Sequence, residues 1–197
     1  MIRSPFRVLT VALAFAYGFG LAPTMAAPSH KHASKRTASK HPEAKAKAKA
    51  KTKPEQVATY GDWGAFVAES GKNKTCYALA QPKDREPKDL KRDPAYIFIS
   101  TRPGENIRNE VSIIMGFKMK DGGDAEAQIG TASFDLISKG SNAWVKNPAK
   151  EGEMIEAMKK GAKLIIKAPS ARGNMTTDSY SLSGLTQTLE RVKKECH

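Results

Sequence analysis

The chain has 197 residues with 33 Lys and Arg against 20 Asp and Glu, a net charge of +13, and 2 cysteines. Residues 28–53 hold nine of the bases and one acid, Glu43, whereas residues 54–197 carry only +3. The basicity therefore belongs to a tail rather than to a folded surface, which removes most of the support for a compact nucleic-acid-binding domain and leaves room for one domain of ordinary size.

Residues 1–26 read as a secretory signal peptide. Arg3 and Arg7 form the positive start, Val8 to Leu21 is an uncharged run, and Pro23 precedes the small residues Thr24-Met25-Ala26, with cleavage after Ala26. Fourteen residues rise only about 21 Å as a helix, short of the roughly 30 Å hydrocarbon core, so this segment is a leader rather than a membrane anchor. The mature protein is expected in the periplasm or outside the cell.

Residues 27–57 are expected to be a disordered basic linker. From Pro28 to Lys53 there is no Ile, Leu, Val, Phe, Trp or Tyr, so burial cannot offset the entropy of ordering. Lys45, Lys47, Lys49, Lys51 and Lys53 alternate with small residues, which spreads charge around a helix and forms no amphipathic face. The linker is either merely solvated or binds anionic lipid or lipopolysaccharide, each Lys near such a surface contributing about 1 kcal/mol. No specific nucleic-acid partner is expected, and His30, His32 and His41 are too loosely placed among lysines to hold a metal.

From residue 58 the texture becomes β-rich, with turn residues between short runs. Strands are expected near Trp63–Glu69, Thr75–Ala80, Ala95–Thr101, Glu110–Phe117, Ala125–Gly130, Ser133–Ser138, Ala143–Lys146, Lys163–Ala168 and Thr176–Leu182. The breakers include Ser70-Gly71, Asp121-Gly122-Gly123, Lys139-Gly140 and Arg172-Gly173-Asn174. Lys118–Asp124 is expected to turn between paired strands, and Ala95–Ile99, almost wholly apolar, to be buried on both faces. Asn147-Pro148 opens a helix with Met154, Ile155 and Met158 inward and Gly161 at its end. A second helix runs from near Ser183 to the C-terminus, with Leu185, Leu189, Val192 and Cys196 on one face. The fold class is mainly β: an antiparallel sandwich or barrel-like single domain with two short helices, one C-terminal.

Two cysteines in an exported chain read as one disulfide, Cys76–Cys196. No histidine lies between Tyr60 and Cys196, which excludes Ser-His-Asp and Cys-His catalysis and the usual zinc sites within the fold. Asp62, Asp84, Glu86, Asp93, Asp124, Glu126, Asp135 and Asp178 supply carboxylates but no recognisable pair, and Asp121-Gly-Gly-Asp124 reads as turn chemistry rather than a calcium loop. There is no Gly-rich phosphate loop. No catalytic residue, metal or cofactor is assigned.

Tyr60-Gly-Asp-Trp-Gly-Ala-Phe and Cys76-Tyr77-Ala78-Leu79-Ala80-Gln81-Pro82 resemble the opening of the invasion-associated locus B family of exported bacterial proteins. Met158-Lys-Lys-Gly161, Ser170-Ala-Arg-Gly173, Thr177-Asp178-Ser-Tyr180-Ser-Leu182-Ser-Gly184-Leu185 and Cys196 are similar to its C-terminal half in order and spacing, and the Trp144 segment also fits. The resemblance covers residues 58–197 and implies a β-sandwich-like periplasmic or envelope protein, its namesake being associated with invasion of host red cells. Many members carry a further cysteine soon after the Gly-Asp-Trp motif, where this chain has Val67-Ala68-Glu69, so a single bridge is expected. The resemblance supplies no catalytic residues. The leading expectation is a non-enzymatic protein contacting an envelope or host-surface component, with Trp144, Arg172 and Asp178 as candidates for its binding surface. The competing one is a carbohydrate-binding or carboxylate-dependent hydrolase module.

Overall fold

The computed structural model describes residues 53–197; the expected leader and the expected linker through Thr52, with Lys45, Lys47, Lys49 and Lys51, lie outside the described residues. The strands are β1 Glu55–Tyr60, β2 Trp63–Ser70, β3 Asn73–Ala80, β4 Asp84–Glu86, β5 Tyr96–Arg102, β6 Ile107–Ile114, β7 Ala125–Ile129, β8 Ala132–Lys139, β9 Asn142–Val145, β10 Lys163–Pro169 and β11 Met175–Ser181. The helices are α1 Glu151–Lys160 and α2 Leu185–Glu195. All the strands join one antiparallel sheet in the order β1-β2-β3-β5-β6-β9-β8-β7-β10-β11-β4.

That order curls back on itself. Only Gln81-Pro82-Lys83 separate β3 from β4, yet β4 pairs with β11 at the far end of the sheet. Lys83 N–H donates to Ser179 O at 2.7 Å, Asp62 N–H to Ser183 O at 3.1 Å, and the Trp63 indole N–H to Ser181 O at 3.0 Å. These contacts draw the two ends of the sheet together, but β1 and β4 do not pair, so the sheet is open rather than a closed barrel; the mainly antiparallel expectation holds.

The alternation that identified the strands also sets what faces the core. In β8, Phe134, Leu136 and Ser138 are buried while Ser133, Asp135, Ile137 and Lys139 face out. α2 lies against β1, β2 and β3, whose inward row includes Ala65, Cys76, Ala78 and Ala80. Small residues there let the helix bring Leu185, Leu189 and Val192 close to the sheet. α1 buries Met154, Ile155 and Met158, as its spacing predicts. Asn147 caps its entry by accepting from Ala149 N–H at 3.1 Å, but the first turn, Pro148–Lys150, is a 3-10 turn and α1 proper begins at Glu151.

Four local expectations need correction. β1 begins at Glu55, inside the segment read as disordered linker, because Glu55 and Gln56 pair with Val67 and Phe66 and Val57 packs on the core. β4 was not expected at all. Residues 115–124 do not turn between partners: β6 pairs with β5 and β9, and β7 with β8 and β10. The crossing is anchored instead by Met115 and Met119, exposed 0% and 1%. Finally, β5 buries Ile97 and Ile99 inward, but Tyr96 and Phe98 are half-buried on the outer face, where Phe98 meets Tyr77 at a ring separation of 5.6 Å.

Gly184 at the start of α2 has φ +88°, and an added Cβ would stand 1.9 Å from Tyr60 O. Gly184→Ala is therefore expected to lower the urea midpoint, with about 1–2 kcal/mol lost to the left-handed backbone alone and more to the clash. Gly152→Ala, where the added methyl meets nothing within 4 Å, is the matched control and is expected to be neutral or stabilising.

Candidate functional site

A groove of about 540 Å³ lies where three chain segments meet: residues 90–93, residues 116–118 and the hairpin 170–176. Its chemistry comes from Lys91, Arg92, Phe117, Lys118, Arg172 and Asn174, with Asp93 as the acid lining it.

A buried ion cluster fixes the first wall. Asp178 on β11 is 0% exposed and accepts from Arg85 Nε on β4 and from Arg92 Nη1, each at 3.1 Å. Arg85 also donates to Asp93 O at 2.8 Å and to Met115 O at 2.7 Å, while Arg92 Nη2 donates to Pro87 O at 2.8 Å. These guanidinium forks hold the 87–93 loop to the strand ends, since planar donors bridge several acceptors at fixed angles. Burial pushes the Asp178 carboxyl up, against the downward pull of Arg85 and Arg92. Beside it on the same inward row, Tyr180 is fully buried with its hydroxyl unpartnered, and burial raises that phenol far above its ordinary value.

The second wall abuts the first through main chain. Asp93 N–H donates to Gly116 O at 2.9 Å, and Gly116, at φ +69°, leaves so little space that a Cβ would sit 2.1 Å from Asp93 O. The hairpin is tied to this wall by Ala171 N–H donating to Lys118 O at 2.9 Å and by the bridge pairing Met119 with Ser170. Within the hairpin, Ser170 Oγ accepts from Asn174 N–H at 3.0 Å and Ser170 O from Gly173 N–H at 2.9 Å. All three segments are thus braced against each other.

The groove is cationic. Among the described residues, no ion pair involves Lys91, Lys118 or Arg172, and Asp178 is a single negative charge facing two arginines. At the β1–β2 cleft, by contrast, Lys83 pairs with Asp62 at 2.6 Å, a contact that holds the Asp62 carboxyl below its usual value.

The structure separates the residues that sequence put on one binding surface. Arg172 is exposed and lines the groove. Asp178 does not belong to a surface: it lies beneath the groove, neutralising Arg85 and Arg92, because period 2 places it on the inward row with Thr176 and Tyr180. Trp144 is only half-buried but stands elsewhere, on the outer face of β9 beside Ser112 and Ile137. Cys76 and Cys196 form the disulfide, with Cα atoms 5.9 Å apart, and both are buried. Lys53, the first described residue, is exposed.

Several of the other carboxylates are engaged locally. Asp84 and Glu86 flank Lys88 at 3.6 Å, Glu126 accepts from the Ser133 hydroxyl, and Asp121 accepts from Gly140 N–H at 2.9 Å in its turn. Among the described residues no group of three or more His, Cys, Asp and Glu could hold a metal ion. Sequence reasoning missed Lys91, Arg92, Phe117 and Lys118, which sit in irregular segments without a motif. The only signal for Lys91 and Arg92 was the dense charge of residues 83–93 between Pro82 and Pro94, and Phe117 and Lys118 carried none.

No protein-family model matches the chain, and no curated protein matches it. Among solved structures, the chain is similar to the crystal structure of invasion associated protein b from Bartonella henselae, at 18% identity and a TM-score of 0.49, over 73% of this chain and 97% of that one.

Proposed function

We propose that this is an exported, non-enzymatic binding protein of the bacterial cell envelope. Its leader is removed after Ala26, its folded domain contacts an envelope or host-surface component, and its arm, including Lys45, Lys47, Lys49, Lys51 and Lys53, attaches electrostatically to anionic lipid or lipopolysaccharide. The observation that carries this reading is the buried Cys76–Cys196 disulfide, because such bonds persist in oxidising compartments and this one follows a leader-like N-terminus. The lack of any histidine between Tyr60 and Cys196, and the pairing of Asp62, Asp84 and Glu86 with lysines, support binding rather than catalysis.

The test is N-terminal sequencing and thiol labelling of the protein recovered from cells. A chain starting at Ala27 without a free thiol is expected; one starting at Met1 with two labelled thiols overturns the reading. Deleting residues 28–53 is expected to weaken association with outer-membrane vesicles most at low salt, since exposed charges are screened beyond about 8–10 Å near physiological ionic strength. Association that is unchanged and insensitive to salt would remove the arm from this role.

A further inference from the structure

We infer that the groove between residues 90–93, 116–118 and 170–176 binds a phosphorylated saccharide, either free or carried on a lipid. This rests on reading the domain as a binding protein, but not on where the protein matures.

Charge is the first argument. Lys91, Lys118 and Arg172 line one groove in which Asp93 is the single acid, none of the three is in an ion pair, and Arg92 contributes to a buried cluster that is itself one positive charge in excess. Like charges held together are unfavourable in the free protein and become favourable when an anion enters, so the groove selects for negative charge. Three separate cations drawn from three segments suit a ligand with more than one anionic group.

Rigidity is the second. Side chains on floppy loops lose entropy on binding, whereas these walls are already fixed by the Arg85 fork, the Asp93–Gly116 contact and the Ala171–Lys118 hydrogen bond. A groove built before the ligand arrives forfeits less affinity to ordering.

Size and lining are the third. About 540 Å³ is far more than one phosphate occupies and lies in the range of small-ligand clefts. Leu90 and Phe117 add apolar surface against which the C–H face of a sugar ring can lie, and the Asn174 side chain offers both a donor and an acceptor for hydroxyls. Cations for phosphates, an apolar patch and an amide together describe a sugar phosphate better than a bare oxyanion.

The test is calorimetric titration of the mature full-length protein with glucose 1,6-bisphosphate, inorganic pyrophosphate and glucose. The basic arm is present throughout, so differences between variants report the groove. Binding of the bisphosphate that falls at least 10-fold in Lys91→Gln/Lys118→Gln/Arg172→Gln, with unchanged binding in Lys163→Gln, is the expected result. All three groove residues are at the surface edge and unpaired, so melting should stay within a few degrees of wild type, and the single Arg172→Gln variant provides a milder version of the same readout. Vesicles of zwitterionic lipid carrying diphosphorylated lipid A, compared with its dephosphorylated form, distinguish the sources: retention lost in the triple variant assigns the lipid-borne ligand, and binding only in solution assigns the free one. Equal binding by wild type and triple variant, or no binding of either phosphorylated probe, overturns the site. Pyrophosphate or glucose binding as tightly as the bisphosphate overturns the saccharide assignment. A cleaved, oxidised protein that binds none of these probes removes the groove and leaves the envelope reading; an uncleaved, reduced one that binds them does the reverse.

Discussion

Opening the Cys76–Cys196 disulfide is expected to cost this domain about 4–5 kcal/mol at the chain-entropy upper bound, the bonded residues being 120 apart in sequence. Domains of this kind carry about 5–15 kcal/mol in total, so the loss is a large share. The geometry explains why the bond matters beyond loop closure. Cys76 faces inward from β3, and Cys196 ends the helix that covers β1, β2 and β3, so the bond pins the last turn of α2 to the sheet it shields. Leu185, Leu189 and Val192 still pack without it, so the reduced protein should remain folded at low temperature, with α2 the first element to open. The measurement is urea unfolding of wild type with and without reductant, alongside Cys76→Ala/Cys196→Ala, with hydrogen exchange followed in the α2 amides. A stability change below about 1 kcal/mol, or α2 exchange no faster than that of β8, would sink the assignment of the bond as a main support of the fold.

Much of this fold was legible in the sequence because its strands alternate cleanly and its helices carry periodic apolar faces. Phe134 and Leu136 announce β8, and Leu185, Leu189, Val192 and Cys196 announce α2 together with the direction in which the last cysteine points. What was not legible depends on neighbours distant in sequence. β4 is Asp-Arg-Glu, a strand only because β11 offers it an edge and Asp178 a charge partner. β1 follows a lysine-rich arm and has little apolar content of its own; pairing with β2 makes it a strand. The groove is hidden for the same reason. Its bases lie on three segments spanning residues 90–176, and nothing local marks them as a set. Asp178 is the instructive case, for the information was present: if Tyr180 points inward, period 2 sends Asp178 inward too. A carboxylate there requires cations, and those are Arg85 and Arg92, residues that no spacing rule connects to it.

Asp178→Ala is expected to destabilise the domain by about 3–5 kcal/mol, because removing one member of a buried ion cluster strands the others. The burden falls unequally: the Arg92 side chain is 6% exposed and the Arg85 side chain 20%, so Arg92 is the charge that water reaches least. The ion cluster itself is not a large net source of stability. Burial holds the folded Asp178 carboxyl above its unfolded value, so the stability this group contributes is complete below the unfolded value near 3.8 and is lost as pH rises through the raised one. What the cluster supplies at neutral pH is position, since it holds the 87–93 loop and with it the groove wall bearing Lys91. It follows that Arg92→Gln and Asp178→Asn, combined, should cost less than the sum of the two single changes, by about 0.5–3 kcal/mol of coupling. Urea midpoints of the two single variants and the double variant measure this directly. Asp135→Asn, at an exposed β8 position, is the control and is expected to stay within about 0.5 kcal/mol of wild type. If Asp178→Ala proved no more damaging than that control, Arg85 and Arg92 would have to be solvated rather than neutralised by this carboxylate, and the loop they brace could not be a preformed wall.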